Sequence, residues 1–584
     1  FAGGTVAGIG LLLLAAGVGQ DGAQLAAMPV LAAAGYAVAA LAAVSPPDPE
    51  RRPAGPAGWL VGPALFGPLA FADPEEISLL LAGGRDVPYW VATATAVSVV
   101  LVLLLGAGLA GFLPRRGVPP RRPVAGVAVV GLLVAGAAVY LGPGQPGFHG
   151  ERLFVVLREQ ADLSGGPTGR PGPAGRQTRA REVHRLLVDT ARRTQAGLRR
   201  DLTRLGLTHR PYYLVNAIEV NGGPAVRAWL SRRPEVDRVL LAQRLRPVPA
   251  VPAPARGTAP APSGTPWNIA AIGADRVHTE LGVDGSGIVV GGSDSGADGD
   301  HPALTAGFRG GDDSWYDPWT GSRAPRDRGG HGTHTLATAV GDQRVGVAPG
   351  AEWIGCVNLD RNLGNPARYL DCLQFMLAPF PSGGDPFTAG RPERGPQVLT
   401  NSWGCPPIEG CDERVLRPAA VALAAAGVFV VVAAGNTGPY CGSLDDPPAP
   451  YAEVLTVGAV DEERRVTLFS SRGPAPEGAG KPEVVAPGAD VLSAYPGGGY
   501  AALDGTSMAT PHVAGVVALM WSANPALVGD LPRTRRILRD TAIEVTPSYL
   551  SDRPVDRCGT ESNVTGAGMV DAYAAVRAAR GLAR

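Results

Sequence analysis

Lysine is almost absent: Lys481 stands alone among 52 basic residues, and all the others are arginine. Such a bias points to a GC-rich coding source rather than to a function. A surplus of either charge is absent too. The 52 acidic residues balance the basic ones, and a neutral chain has no overall field for holding a polyanion, which argues against nucleic-acid binding by the whole molecule. Aromatic residues are few, 6% against 45% hydrophobic residues in all. That apolar content is too high for a disordered chain, and 584 residues are too many for one compact domain. No two histidines bracket a glutamate at helical spacing, so the zinc-protease pattern is missing. What the chain does have is 81 Gly, 56 Pro and three zones of different charge. Residues 1–142 hold seven acidic and seven basic residues, 151–246 hold nine acidic residues and nineteen Arg, and the rest therefore carries a net charge of −10.

Long apolar runs are confined to the first zone. Four uncharged stretches of Leu, Val, Ala and Gly, at 1–19, 25–44, 88–113 and 123–141, suit the roughly 20 residues that cross hydrocarbon. A fifth, 57–72, is short and broken by Pro63 and Pro68. Four or five such runs in succession predict a multi-span transmembrane region over 1–142. Arg115, Arg116, Arg121 and Arg122 crowd the loop before the last span, which puts that loop in the cytoplasm and everything after Leu141 outside. With five spans, the loop with Arg51 and Arg52 is also cytoplasmic, and the loop with Asp73, Glu75 and Glu76 lies outside. No ionisable residue falls inside the spans, which argues against a transporter or channel.

The second zone predicts a small α/β module. Residues 153–157 (LFVVL) read as a buried strand, and Val183, Leu187, Ala191, Leu198, Leu202 and Leu205 keep helical spacing over 181–205. Then come 212–220 (YYLVNAIEV), as one long strand or two short ones, a helix near 224–232 and a closing strand at 236–241. This order predicts a split βαβ sandwich of ferredoxin-like type over 150–245. Residues 246–266, rich in Pro and Ala, predict an exposed linker of the kind that proteases cut.

Four Gly-rich frames follow, each at the end of a regular element. A β-like run at 287–290 leads to GGSDSGADGD, with Asp294 before Ser295 and Gly296; Asp298 and Asp300 are alternatives, because Asp-Ser-Gly is a common turn. In GGHGTHTLATAV, His331 opens an apolar helical run, and alone the pattern would equally suit a helix cap or a metal pair with His334. Strand-like runs at 397–400 and 428–434 lead to NSWG (401–404) and to Gly435 and Asn436. DGTSMATPHVAG sets Ser507 before an apolar helix, with Pro511 suited only to its first turn. Singly these are turns and caps. Their joint occurrence, as Asp, His, Asn and Ser in this order, changes the reading.

On these motifs the sequence resembles the subtilisin-like serine peptidases: Asp-Ser-Gly at 294–296, HGTHTLA at 331–337, AAGN at 433–436 and GTSMATPHVAG at 505–515. The resemblance covers 267–584 and implies a three-layer α/β domain on a mostly parallel sheet. It extends backwards, since ERLFVVLREQADLS, PYYLVNAIEV and RRPEVDRV are similar to the propeptide of bacillopeptidase F type enzymes. It implies that Asp294, His331 and Ser507 form a charge-relay triad and that Asn436 supplies an oxyanion donor beside the backbone N–H of Ser507. Ser402, Trp403 and Gly404 would be an edge strand that pairs with extended substrate, next to Gly435, and Trp403 would shape a subsite favouring apolar residues. Thr335 and the Gly-Gly-Ser before Asp294 depart from the family pattern without removing a catalytic group. No cofactor is required; structural calcium is common in the family, but no loop here has spacing specific enough to assign ligands.

All six cysteines follow residue 355. An even set on the exterior side suggests disulfides, and proximity and local pattern favour Cys405 with Cys411, Cys356 with Cys372, and Cys441 with Cys558. The sequence thus predicts a membrane-tethered zymogen at a bacterial cell surface, with the peptidase domain extracytoplasmic, retained or shed after processing. Its basic second zone would be an intramolecular inhibitor and chaperone of an acidic enzyme acting on proteins or peptides. Activity would need neutral His331 and rise from mildly acidic towards alkaline pH. The alternative is a catalytically silent peptide-binding receptor or scaffold of the same fold, which the intact Asp, His, Asn and Ser set opposes.

Overall fold

The computed structural model describes residues 152–164, 170–242, 255–360, 362–476, 480–549 and 557–581. The expected spans within 1–142 and the first part of the expected linker lie outside these residues. No helix among the described residues is long and apolar enough to cross a membrane. The chain divides into two compact units. Of the first (Phe1–Arg152, Gly222–Ala228, Gln243–Pro252), the described residues include most of one short helix. The second (Leu153–Asn221, Trp229–Ala242, Ala253–Arg584) carries both the small module and the motifs.

The small module runs β1 (Arg152–Leu157), α1 (Pro173–Arg204), β2 (His209–Tyr212), β3 (Ala217–Asn221), α2 (Pro224–Leu230) and β4 (Val236–Leu241). Its sheet order is β2-β3-β1-β4, the ferredoxin-like arrangement. β4 lies antiparallel to β1, with Leu153 opposite Leu241 and Val155 opposite Val239. α1 starts well before its periodic apolar positions, because Pro173 is favoured in a first turn. Ala180, Val183, Leu187, Ala191, Leu198 and Leu202 form its buried stripe. The run 212–220 is broken in two by a turn at 213–216. Gln195, buried on α1, holds that turn by donating to the Tyr212 carbonyl at 2.7 Å and to Asn216 Oδ1 at 2.8 Å.

The larger sheet has seven strands in the order β11-β10-β9-β8-β5-β7-β6. They are β5 (Val289–Asp294), β6 (Trp315–Tyr316), β7 (Glu352–Val357), β8 (Val398–Asn401), β9 (Phe429–Ala433), β10 (Leu455–Val460) and β11 (Val484–Pro487), each parallel to its neighbours. Helices cover both faces, as a parallel sheet requires. α3 (His331–Val340) belongs to one face and α4 (Pro366–Leu377) and α5 (Arg417–Ala425) to the other; α6 (Thr506–Ala523) shares the face of α3. Along β9, Phe429 and Val431 join the core under α6, while Val430 and Val432 join the core under α4 and α5. From β5 the chain first lays down β6 at the edge and returns to fill β7 beside β5, and then builds on the other side through β8 to β11. Such a reversal opens a crevice at the carboxyl ends of the strands, where ligands bind in α/β sheets.

The small module and the larger sheet share the second core, and arginines mark their contact. Arg210 pairs with Asp371 of α4 at 2.9 Å and donates to the Tyr316 hydroxyl at 2.8 Å. Arg238 pairs with Asp412 at 2.6 Å, Arg192 donates to the Phe387 carbonyl at 3.0 Å, and Tyr213 N–H donates to Gln374 Oε1 at 2.7 Å. After the expected linker resumes at Ala255, its backbone follows the hairpin of β12 (Val491–Tyr495) and β13 (Gly499–Leu503), with Ala259 bridged to Tyr500.

Candidate active site

Asp294 is the last residue of β5 and is buried. Its Oδ1 accepts from His331 Nδ1 at 2.7 Å and from Ser295 N–H at 2.6 Å, which fixes the imidazole tautomer with Nε2 left as the base. Asp298 instead holds the connection between β12 and β13, accepting from Gly497 N–H at 2.9 Å. His331 is the first residue of α3, and the next position admits only glycine. A Cβ on Gly332 would lie 2.1 Å from the Gly296 carbonyl oxygen and 3.0 Å from Asp294 Cβ. His334 is no metal partner: its Nε2 lies 2.9 Å from the Val491 carbonyl and 3.1 Å from that of Ala501, and burial pushes its pKa down to about 3. Among the described residues no group of His, Cys, Asp and Glu is arranged to hold a metal ion.

One residue that shapes the turn before His331 was not legible in the motifs. Asp327, four residues before His331 and buried, accepts five hydrogen bonds. Its Oδ1 takes the Ser295 hydroxyl at 3.0 Å and the N–H groups of Gly329 and Gly330 at 2.9 Å each. Oδ2 takes Thr333 N–H at 2.8 Å and its hydroxyl at 2.7 Å. Gly332 N–H donates in turn to Ser295 Oγ at 2.9 Å. The carboxylate therefore caps α3 and clamps the turn that carries His331 onto the residue next to Asp294. An Asp just before a helix start is the signal that could have found it.

Ser507 lies in the first turn of α6, after Gly505 at the cap position. Pro511 sits deeper than the first turn, contrary to expectation, and the sequence position has a use. Its missing N–H would have paired with the Ser507 carbonyl, which instead accepts the Ser402 hydroxyl at 2.8 Å. Ser507 Oγ donates to the Ser402 carbonyl at 3.1 Å. Asn436 follows β9, and its Oδ1 accepts both the Thr506 N–H at 2.9 Å and the Thr506 hydroxyl at 3.0 Å. That leaves Nδ2 as the available donor. The Ser507 N–H, among the first-turn donors that a helix leaves without a carbonyl, is a second one.

Two expectations for the substrate segment are corrected. β8 lies in the middle of the sheet, and Ser402, Trp403 and Gly404 run beyond its end as irregular backbone, so they are not an edge strand. Trp403 does not present its side chain to solvent. Only 6% exposed, its ring stacks on Tyr369 at 4.2 Å and its Nε1 donates to the Ser293 carbonyl at 2.8 Å. Beneath it the Tyr369 hydroxyl donates to Glu409 Oε2 at 2.5 Å, and burial raises the Glu409 pKa to about 7. Gly435, at φ 105°, adopts a backbone that favours glycine and donates its N–H to Thr506 Oγ1 at 3.1 Å.

The cysteines form Cys356–Cys372, Cys405–Cys411 and Cys441–Cys558. The first ties α4 to β7, the second closes the loop after Gly404, and the third anchors the loop after Asn436.

Residues 285–568 match the subtilase family (Peptidase_S8). The chain is 36% identical to Bacillopeptidase F of Bacillus subtilis (strain 168) over 393 residues, 63% of this chain but only 26% of that protein. It is 34% identical to Subtilisin Savinase of Lederbergia lenta over 53% of this chain and 98% of that one, and 34% identical to M-protease of Shouchella clausii (strain KSM-K16) over 53% and 70%. The chain thus spans about a quarter of the first relative and nearly all of the second. On the strength of the shared identity over nearly all of the subtilisin, the chain belongs to the subtilase family of serine peptidases.

Proposed function

We propose that this chain is a membrane-tethered zymogen whose extracytoplasmic domain hydrolyses peptide bonds through Ser507, His331 and Asp294. The observation that carries the reading is the tautomer-fixing bond from His331 Nδ1 to Asp294 at 2.7 Å, beside a serine at a helix start and an asparagine whose amide is oriented by Thr506. Ser507 Oγ attacks the carbonyl carbon and its proton passes to His331 Nε2, leaving the charge pair with Asp294. The new oxyanion is met by Asn436 Nδ2 and the Ser507 N–H. His331 then protonates the leaving amine, and water, deprotonated by the same ring, releases the acyl group.

The zymogen reading is supported by the docking of residues 153–242 on α4. The described chain leaves that module at Ala242, close to Gly410, and resumes with Ala255 N–H donating to the Arg328 carbonyl, three residues before His331. Of the twelve residues between them, the last nine belong to the Pro/Ala-rich linker. The membrane reading is supported by the apolar runs within 1–142. The test uses the full chain beside Ser507→Ala and follows chain mass over time together with labelling by a serine-directed phosphonate. Labelling, with cleavage between about 246 and 267 in the unaltered chain only, is expected. No self-cleavage, and neither labelling nor hydrolysis of an added peptide substrate after trypsin treatment, would leave a silent scaffold.

A further inference from the structure

Building on the peptidase reading, we propose that Asp446 makes the substrate site beside Ser507 selective for an arginine or lysine immediately before the scissile bond. The position comes first. Ser402 is bonded to the nucleophile, and Gly404, two residues on, is at most about 7 Å of extended chain away. A Cβ built on Gly404 would lie 2.9 Å from Asp446 Cβ, so Asp446 fills the space beside that glycine. The two segments are tied by Cys405 N–H donating to the Pro447 carbonyl at 2.7 Å. An extended arginine or lysine side chain, starting at the carbonyl that Ser507 attacks, covers a similar length.

The chemistry comes second. The chain is rich in arginine, and two buried carboxylates have arginine partners: Arg210 and Arg368 on Asp371, Arg391 and Arg394 on Asp313. Asp446 is partly buried and, among the described residues, makes no ion pair and no side-chain hydrogen bond. Desolvation, then the neighbouring acid Asp445, raise its pKa, and Asp446 in turn helps to raise that of Glu409. A carboxylate taken from water without a cation is costly, and a cation supplied by substrate removes that cost. An independent observation agrees. Within 246–266, the linker that the enzyme would meet as its own substrate, the only charged residues are Arg246 and Arg256.

The test takes the full chain after self-processing and two peptide substrates that differ only in Arg or Leu before the scissile bond. Rates are expressed per phosphonate-titrated site, which counts only folded enzyme. The Arg substrate is expected to have the higher kcat/KM by at least about 10-fold, as for a buried polar group left unpaired by the wrong substrate. Asp446→Asn should reduce the Arg-to-Leu ratio by at least about 10-fold. The mass of the processed wild-type chain, which needs no variant, should place its cleavage after a linker arginine. A labelled enzyme that prefers Leu, a ratio unchanged in Asp446→Asn, or self-cleavage only after uncharged residues would overturn the proposal while leaving the peptidase reading intact. An enzyme that the phosphonate does not label would overturn both.

Discussion

Ser402 and Ser507 hold each other through two reciprocal hydrogen bonds, Ser507 Oγ to the Ser402 carbonyl at 3.1 Å and Ser402 Oγ to the Ser507 carbonyl at 2.8 Å. The nucleophile and the start of the substrate segment therefore move as one piece, and a proline in α6 makes the second bond possible. Ser402→Ala should keep the first bond, which uses a backbone carbonyl, and lose only the second. A fall in kcat/KM of no more than about 10-fold is expected, the scale of one hydrogen bond. Loss of all activity in peptide-hydrolysis assays would show that Ser402 does more than brace Ser507.

Asn436 is tested by its own asymmetry. Thr506 takes Oδ1, so only Nδ2 is left for a substrate oxygen. Asn436→Ala should lower kcat by about 10²- to 10³-fold with little change in KM, because the oxyanion exists only after attack. A change confined to KM would place the residue in ground-state binding instead.

Asp327 predicts a third split. Asp327→Asn keeps an acceptor for Ser295 and the two glycines but cannot accept twice at Thr333, whereas Asp327→Ala removes the whole clamp. The alanine variant should lower kcat by at least about 10-fold, and the asparagine variant should recover part of it. Equal kcat in both variants and wild type, with only Tm reduced, would make Asp327 a simple helix cap.

Three buried groups set opposing pH dependences of stability. Desolvation pushes His334 down to about 3 and His512 down to about 4, from 6.5. Below pH 6.5 the unfolded chain takes up protons that these buried rings refuse, so their contribution is lost as pH falls. Glu409 does the reverse. Its folded pKa of about 7 against 4.5 means that the folded state holds the extra proton between those values, and its contribution is lost as pH rises through them. Relative to wild type, Glu409→Gln should therefore gain Tm as pH rises from 4.5 to 7. A Tm difference that stays constant across that range would exclude the effect.

The bond Cys441–Cys558 closes a loop with a sequence separation of 117. A chain with both residues changed to serine should lose about 2–5 kcal/mol in denaturant unfolding. Because the bond anchors the loop after Asn436, kcat should fall along with stability. Unchanged kcat would mean that the loop is held by its other contacts alone.

The motifs made Asp294, His331, Asn436 and Ser507 legible as candidates because each sits in a local frame that glycine or a helix start imposes. The module over 150–245 was legible from period and order, down to β4. What sequence could not show was how elements far apart in the chain meet. NSWG reads like a strand end wherever its strand lies, and only the sheet order puts β8 in the middle. Trp403 has the bulk of a subsite wall, yet its burial depends on Tyr369 stacking beneath it. Asp446 sits in an unremarkable Asp-Asp-Pro-Pro run and gains meaning only from lying against Gly404.

Gly172 N–H, at the start of α1, donates to the Val528 carbonyl at 2.8 Å, and Arg179 reaches the carbonyl of Gly529. A ribosome makes the first residue of each pair long before the second. The helix emerges with its partner still unsynthesised, and these contacts close only once the serine-bearing helix and the turn after it have followed. The module that would silence the enzyme is thus complete before the nucleophile exists.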